Sequence, residues 1–249
     1  MPEQYDGIAD DYEWLFSDTM LSGEPQYASL RNVLKSLPPG GSILDCACGT
    51  GILALAIARH GHAIVGTDAS EGMIRVARAR AEADGLNIPF HVCTWETLPQ
   101  KCDRNFDIAL CCGNSIVHCS DISDMVRSFQ GIRSVLNVGG RLVLETRNWE
   151  KLLTERTRYM HIDPRSRAGK RCAPIYIWNF PRKTNEPIRV EVLLPIEHEG
   201  KIDLHVHPIV AHPFTFKQLQ TCLAEADFAV MENDYSEDRD WYRVIARNG

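Results

Sequence analysis

The sequence predicts an α/β fold built on a mainly parallel, seven-stranded sheet with helices on both faces and an inserted antiparallel β lid. From residue 42 to about 150, short apolar runs alternate with helix-like runs, a pattern typical of parallel strands joined by crossover helices. From about Lys151 the character changes. Residues 156–171 are basic and polar, and we expect them to be loop-rich. Three strand-like runs at residues 174–180, 188–197 and 202–210 then follow one another with short turns between them, which indicates antiparallel pairing. These two patterns define the predicted architecture.

The predicted sheet draws on seven apolar runs, the last two of which form a hairpin with an antiparallel final strand. They lie at residues 42–44, 63–67, 89–93, 106–112, 141–145, 228–231 and 241–246. Helix-like runs lie at residues 27–37, 52–58, 71–81, 121–136 and 218–226. Ser70 and Ser120 precede two of these runs and are predicted N-caps. The pair Gly139-Gly140 is predicted to close the helix that starts after Ser120.

Four regions follow from this reading. Residues 1–40 form an N-terminal helical arm, 41–150 a ligand-binding core, 151–213 the inserted lid, and 214–249 a C-terminal helix with the last core strands. The arm carries more aromatic residues than a solvated tail would. We therefore expect it to pack on the sheet, to cover the ligand, or to do both.

Composition narrows the possible partners. A net charge of −6 argues against a nucleic-acid substrate, and no apolar run approaches the length of a membrane span. The N-terminal sequence M-P-E-Q-Y-D is acidic, where a signal peptide would be basic. Nine cysteines without a C-x-x-C pair suit reduced thiols. We expect a cytoplasmic protein that acts on a small molecule, with no nucleic-acid or membrane partner, and we leave open a homo-oligomer.

The stretch I-L-D-C-A-C-G-T-G at residues 43–51 organises the core. It reads as a buried strand, a tight turn and a helix start, and Gly49 and Gly51 allow a ligand to approach the backbone closely. An open α/β sheet binds its ligand at the carboxyl end of such a strand. A dinucleotide fingerprint would place a third glycine where Ala54 stands, so NAD is the weaker interpretation. Asp68, at the end of the second strand, is positioned to accept hydrogen bonds from two ribose hydroxyls.

The pattern Asp45-x-Ala47-x-Gly49-x-Gly51 resembles the first motif of the Rossmann-like, class I methyltransferases that depend on S-adenosylmethionine (SAM). The resemblance implies SAM as the cofactor, with the acid near the methionine ammonium and the glycines facing the cofactor. The candidate cofactor-binding residues are Tyr12, Asp45, Ala47, Gly49, Gly51, Asp68, Ala69, Met73, Thr94, Trp95 and Cys112.

Two further segments are more specific. G-N-S-I-V-H at residues 113–118 and E-T-R-N-W at 145–149 resemble glycine N-methyltransferase and the related glycine/sarcosine methyltransferases. The resemblance implies that Asn114 and Arg147 hold an amino-acid acceptor, Arg147 through its carboxylate. It also implies that His118 orders the loop near the sulfonium and that Tyr176 faces the acceptor. Asn114, His118 and Arg147 are the candidate catalytic residues.

The predicted function is SAM-dependent methyl transfer to the nitrogen of a small amino-carboxylate. An amine needs no activated nucleophile, and well-oriented reactants gain roughly 7–11 kcal/mol from positioning. The main alternative is oxygen methylation of another small metabolite, for which His118 is the histidine placed to act as general base. A second alternative is a SAM-binding module without enzymatic activity.

The sequence does not predict a metal site. His205 and His207 would share one face of a strand, but two histidines are fewer than the three protein ligands that a zinc site needs.

Overall fold

The computed structural model describes residues 3–103, 105–182 and 186–249, so the first two residues of the predicted arm lie outside the described residues. Within these ranges the strands form a seven-stranded core sheet and a six-stranded antiparallel sheet. The strands are β1 (Ser42–Asp45), β2 (Ala63–Asp68), β3 (Phe90–Val92), β4 (Phe106–Cys111), β5 (Leu136–Arg147), β6 (Tyr159–His161), β7 (Arg165–Arg167), β8 (Lys170–Cys172), β9 (Ile175–Asn179), β10 (Ile188–His198), β11 (Lys201–Ala211), β12 (Phe228–Asn233) and β13 (Trp241–Asn248).

The core sheet has the strand order β12-β13-β5-β4-β1-β2-β3. β1 to β5 run parallel, whereas β13 pairs antiparallel with β5 and with β12. This arrangement confirms the predicted α/β fold, including the antiparallel last strand. The carboxyl ends of β1, β2, β4 and β5 consequently meet at one edge of the sheet.

The helices are α1 (Glu3–Asp6), α2 (Asp18–Leu21), α3 (Glu24–Leu34), α4 (Ile52–Arg59), α5 (Glu71–Ala83), α6 (Leu98–Lys101), α7 (Ile122–Ser134), α8 (Trp149–Glu155) and α9 (Phe216–Glu225). Ser70 caps α5, as predicted, by accepting a hydrogen bond from the Met73 N–H at 3.1 Å. The prediction that Ser120 caps α7 is wrong, because the helix begins one residue later than expected. Asp121 caps α7 through a 2.8 Å bond from the Asp124 N–H.

The pair Gly139-Gly140 lies inside β5 and does not close α7, which ends at Ser134. β5 is longer than the predicted run because it begins at Leu136, before the glycines. Its pairing with β4 shifts register in this region. Gly139 adopts φ +77°, and a Cβ on Gly140 would lie 2.8 Å from the Asn137 carbonyl oxygen. The glycines therefore permit an irregularity within the strand, and the prediction that they end the helix is wrong.

The second sheet is the inserted antiparallel layer that the sequence predicts, and it contains more strands than predicted. The basic segment expected to be loop-rich forms β6, β7 and β8, each three residues long. β10 is the central strand, with β11 along one side and β8 and β9 along the other. Alternate residues of β10 are buried, so this sheet turns one face toward the rest of the protein.

The N-terminal arm lies between the two sheets. Its apolar residues form one cluster with Met73 of α5 and with the buried face of β10; the arm contributes Ile8, Ala9, Trp14 and Leu15, and β10 contributes Val192, Leu194 and Ile196. This packing positions the arm over the carboxyl edge of the core sheet. Among the described residues, no helix is both long and apolar enough to cross a membrane.

Candidate active site

A cavity of about 750 Å³ opens at the carboxyl edge of the core sheet, and residues of the arm and of the second sheet complete its walls. Its size is typical of a site for a small molecule. Every predicted site residue except Gly51 lines it: Tyr12, Asp45, Ala47, Gly49, Asp68, Ala69, Met73, Thr94, Trp95, Cys112, Asn114, His118, Arg147 and Tyr176. The fold thus brings together residues that are spread over most of the sequence.

Asp45 ends β1 as a carboxyl group that is only 2% exposed. Burial raises its pKa to about 7, although a hydrogen bond from the Ala47 backbone opposes the shift. A carboxylate withdrawn from water favours a cationic partner. The cavity therefore offers a place where a ligand ammonium would stabilise the ionised form of Asp45.

Asp68 ends β2 with both carboxylate oxygens oriented by the backbone. Its Oδ2 atom accepts the Gly49 N–H at 2.9 Å, and its Oδ1 atom accepts the Ser70 N–H at 2.9 Å. Burial nevertheless raises the pKa of this carboxyl. Each oxygen keeps further acceptor capacity, so the fixed carboxylate fits a pair of neighbouring hydroxyl groups such as a ribose diol.

The two motif glycines have different roles. Gly49 lines the cavity at φ +51°, and a Cβ there would meet only the Tyr12 ring at 4.0 Å. Gly51 adopts φ +79°, and its Cβ would lie 2.8 Å from Leu55 Cδ1 and 3.1 Å from Ala77 Cβ. Gly51 therefore permits the close packing of α4 on α5 and does not face the cavity, contrary to what the resemblance implied.

The segment after β3 fixes an indole ring at the cavity wall. The Trp95 Nε1–H donates a 2.7 Å hydrogen bond to the Cys46 carbonyl, and Thr94 forms a capping box with Thr97. Met73, which the sequence placed beside the cofactor or in the core, is 1% exposed and belongs to the arm cluster while it also lines the cavity. These groups form an apolar wall on the side of Asp68.

His118 is engaged at both ring nitrogens. Its Nε2 atom lies 2.7 Å from the Tyr5 hydroxyl, and its Nδ1 atom lies 2.9 Å from the Val210 carbonyl and 3.0 Å from Gln4 Nε2. Burial lowers the pKa of His118 to about 4, so the ring is neutral at physiological pH. The histidine ties the loop after β4 to the arm and to β11, and neither nitrogen is free to take a proton from a ligand in this conformation.

Arg147, at the end of β5, lies between two indole rings. Its guanidinium carbon is 5.7 Å from the ring centroid of Trp178 and 4.7 Å from that of Trp241. Burial lowers its pKa, and the carboxylate of Asp240 is paired with Lys151 at 2.7 Å. Within the part of the chain that the structure describes, no carboxylate forms an ion pair with Arg147. The guanidinium retains donors for a ligand.

Asn114 joins the ends of β4 and β5. Its Oδ1 atom accepts the Arg147 backbone N–H at 3.1 Å and the Thr146 hydroxyl at 3.0 Å. Because a backbone N–H can only donate, this atom must be the oxygen. The amide nitrogen of Asn114 is then the group that can serve a ligand, and it can only donate.

Sequence reasoning missed the two indoles that flank Arg147. Trp241 stands directly opposite Arg147 in the pairing of β13 with β5, and Trp178 lies two residues after Tyr176 on the same face of β9. Tyr5, the partner of His118, is one of the aromatic residues of the arm, and the sequence analysis assigned it no role. The alternation of β9 could have signalled Trp178, whereas Trp241 depends on a strand pairing that no local pattern specifies.

Comparisons with known proteins relate the chain to methyltransferases. Residues 43–140 match the family described as "Methyltransferase domain". The chain is 29% identical over 168 residues to glycine N-methyltransferase of Homo sapiens, in an alignment that covers 62% of this chain and 57% of that protein. It is 35% identical over 109 residues to a ubiquinone biosynthesis O-methyltransferase of Coxiella burnetii (strain Dugway 5J108-111), which covers 44% of each. The chain thus spans about half the length of the curated relatives it matches.

Solved structures match over nearly the whole chain. A SAM-dependent methyltransferase of Clostridium acetobutylicum has a TM-score of 0.78 at 15% identity and covers 98% of this chain and 99% of that one. The CcbJ methyltransferase of Streptomyces caelestis has a TM-score of 0.80 at 16% identity, with 98% and 97% covered. SAM-bound CalS10, an amino pentose methyltransferase of Micromonospora echinaspora, has a TM-score of 0.72 at 16% identity, with 92% of each covered. The chain therefore has the fold of the Rossmann-like, SAM-dependent methyltransferases, and its residues 43–140 match a methyltransferase domain.

Proposed function

We propose that this protein transfers the methyl group of SAM to the nitrogen of a small amino-carboxylate acceptor. The observation that carries the proposal is the guanidinium of Arg147, which lies in the cavity between two indoles with its charge unpaired among the described residues. A partly buried cation with free, forked donors favours a carboxylate ligand.

The residues at the β1 and β2 ends suit SAM. Asp45 would hold the methionine ammonium, because burial leaves its carboxyl in need of a cation. Asp68 would accept the ribose hydroxyls with oxygens already oriented by Gly49 and Ser70, and the backbone at Gly49 leaves space for close approach. When bound, SAM supplies an electrophilic methyl group on its sulfonium.

Arg147 and Asn114 would orient the acceptor. The guanidinium fork matches a carboxylate with two parallel hydrogen bonds, which sets direction as well as distance. The Asn114 amide nitrogen would donate to a carboxylate oxygen, since its own oxygen already accepts two hydrogen bonds. This assignment is narrower than the sequence-based expectation, which assigned Asn114 to the acceptor without naming the group that it contacts.

The cavity supports a nitrogen acceptor, because a neutral amine needs only to be positioned and does not need a general base. Burial raises the pKa of Tyr176 to about 12, so its hydroxyl stays protonated, and His118 is held by the arm and β11. We propose that the acceptor amine gives its proton to water before it is enclosed. The walls of Trp149, Trp178 and Trp241 would then exclude water while Arg147 holds the carboxylate end.

Oxygen methylation is the second candidate, because the bacterial ubiquinone-biosynthesis relative is an O-methyltransferase. That similarity covers less than half of each chain, and a hydroxyl acceptor would need a general base. The reaction would therefore require His118 to leave Tyr5. On composition we also propose a cytoplasmic protein that acts on free small molecules and not on nucleic acid or membranes, and we leave homo-oligomerisation open.

A methyl-transfer panel tests the proposal. The protein would be incubated with SAM labelled in the methyl group and with amino acids, the matching decarboxylated amines, and phenols of similar size. We expect labelled N-methyl amino acids, and little transfer to amines that lack the carboxylate. Preference for the decarboxylated amines would remove the carboxylate requirement, and preference for phenols would favour the O-methyltransferase alternative.

A further inference from the structure

A cluster of three metal-ligand side chains lies outside the cavity, where the arm meets β11. Asp11 comes from the arm, whereas His205 and His207 project from the same face of β11. The Asp11 Oδ2 atom is 2.6 Å from His205 Nδ1 and 3.4 Å from His207 Nε2, and the three ligand atoms all lie within 4.8 Å of one another. The arm thus supplies a third ligand, which the pair of histidines in the sequence did not reveal.

The spacing of these atoms suits a tetrahedral ion. Zinc binds histidine nitrogen and carboxylate oxygen at about 2.0–2.2 Å, which places neighbouring ligand atoms about 3.3 Å apart in a tetrahedron. The distance from Asp11 to His207 already has this value. The shorter distance from Asp11 to His205 would open by less than 1 Å, and His205, whose side chain is 44% exposed, has room to move.

Burial distinguishes the cluster from ordinary surface charge. The side chains of Asp11 and His207 are only 18% and 13% exposed. His207 Nε2 is buried and, among the residues that the structure describes, has no hydrogen-bond partner. It faces the Asp11 carboxylate without the alignment of a hydrogen bond. A buried polar atom of this kind carries an energetic penalty, and a coordinated cation would remove it.

We propose that Asp11, His205 and His207 bind one divalent transition-metal ion of the zinc type. Two imidazoles and one carboxylate form a borderline donor set that suits such ions better than calcium or magnesium. Three protein ligands leave a fourth position for water. This proposal goes beyond methyl transfer and does not depend on it.

The bound ion would fasten the arm to the second sheet. Asp11 immediately precedes Tyr12, which lines the cavity, and on the other side of the arm Asp10 is paired with Arg75 of α5 at 2.8 Å. An ion on Asp11 would therefore hold the arm from the side of the second sheet while α5 holds it from the core. Because the arm forms part of the cavity wall, the ion would restrict its opening.

Calorimetry with zinc chloride on tag-free, chelator-treated protein near pH 7.5 tests the site. We expect one zinc ion per chain. Asp11→Asn, His205→Ala and His207→Ala should each weaken binding by at least about a hundredfold, since loss of a ligand exceeds the effect of losing an outer partner. Asp163→Asn and His198→Ala are controls, because both residues are exposed and lie outside the cluster, and these variants should bind zinc like the parent protein.

A second measurement uses the same proteins without SAM. Zinc should slow hydrogen exchange of residues 8–16 in the parent protein and in the controls, and should leave exchange unchanged in the His205→Ala/His207→Ala double variant. Circular dichroism would verify that each variant is folded. If the double variant binds zinc like the parent, or if the parent shows no one-to-one binding tighter than about 100 µM, the cluster is an ion-pair and hydrogen-bond contact only and the proposal fails.

Discussion

The half of the cavity proposed to bind the cofactor and the half proposed to bind the acceptor are built in different ways. The cofactor half, from Asp45 to Trp95, lies within about fifty consecutive residues, and backbone hydrogen bonds fix its groups. The acceptor half gathers Arg147, Tyr176, Trp178 and Trp241 from separate strands of both sheets, and ring stacking around a guanidinium holds it together. The cofactor half should therefore tolerate changes in the lid, while the acceptor half can change its specificity without disturbing cofactor binding.

The largest expected effect is on the acceptor half. Arg147→Ala should lower kcat/KM for the acceptor by about thirtyfold or more, because loss of one partner of a buried charged pair removes about 2–5 kcal/mol. SAM affinity should barely change. Arg147→Lys should recover little, since a point charge does not restore the fork. Steady-state kinetics and calorimetry measure the two effects.

The exposed Arg31 of α3, which does not line the cavity, provides the control for this prediction. Arg31→Ala should leave both the acceptor kinetics and SAM binding unchanged. Intact acceptor kinetics in Arg147→Ala would contradict the carboxylate clamp and would remove the proposed difference between the two halves.

The next effect is on the cofactor half. Asp68→Ala should weaken SAM binding by roughly ten- to a hundredfold, because each buried hydrogen bond left unmade involves about 1–3 kcal/mol. Thermal stability should also fall, since the N–H groups of Gly49 and Ser70 lose their acceptor. Calorimetry of SAM binding measures the effect, with the exposed Glu71→Ala as control. Unchanged SAM affinity would exclude Asp68 from the cofactor site.

The cofactor half should show a pH dependence of its own, set by the buried carboxyl of Asp45. Because the pKa of Asp45 is about 7, its carboxyl is mostly protonated below pH 7 and must release a proton before it can pair with an ammonium. SAM affinity should therefore fall by up to about tenfold for each unit by which the pH decreases below 7. Acceptor binding should follow a different pH profile. Calorimetry between pH 5.5 and 8.5 measures the slope, and Asp45→Asn should flatten it.

The same pKa predicts an effect on folding without ligand. The folded state holds the Asp45 proton more tightly than the unfolded chain, so burial destabilises the protein increasingly as pH rises from about 4 to 7, and the penalty persists above 7. Asp45→Asn should therefore raise the melting temperature at pH 8 relative to the parent protein. A lowered melting temperature would indicate that the carboxylate has a stabilising partner.

The smallest effect concerns the motif glycines. Gly51→Ala should lower the melting temperature by a few degrees, because about 1–2 kcal/mol of backbone strain adds to the close contact with Leu55. The folded variant should keep its SAM affinity. Gly49→Ala carries the same kind of strain but should also weaken SAM binding. Differential scanning calorimetry and SAM titration separate the two variants. Equal loss of SAM affinity in both would place Gly51 at the cofactor after all.

The sequence by itself determined the core sheet, its helices and the acids at its strand ends. Apolar runs, turns and caps are local signals. The parallel order of the strands then requires Asp45, Asp68, Asn114 and Arg147 to meet at one edge, because the carboxyl ends of parallel strands lie together. The candidate site residues could be named for this reason before any tertiary contact was known.

Only the tertiary structure decided the features that depend on distant partners. β6, β7 and β8 are too short for an alternating pattern to appear in the sequence. Gly49 and Gly51 both adopt positive φ, and only the packing of α4 on α5 shows which of them faces the cavity. Trp241 reaches Arg147, and Asp11 reaches His205 and His207, through pairings between segments far apart in the chain. A local pattern carries no information about such partners, because chain folding alone sets the distance between them.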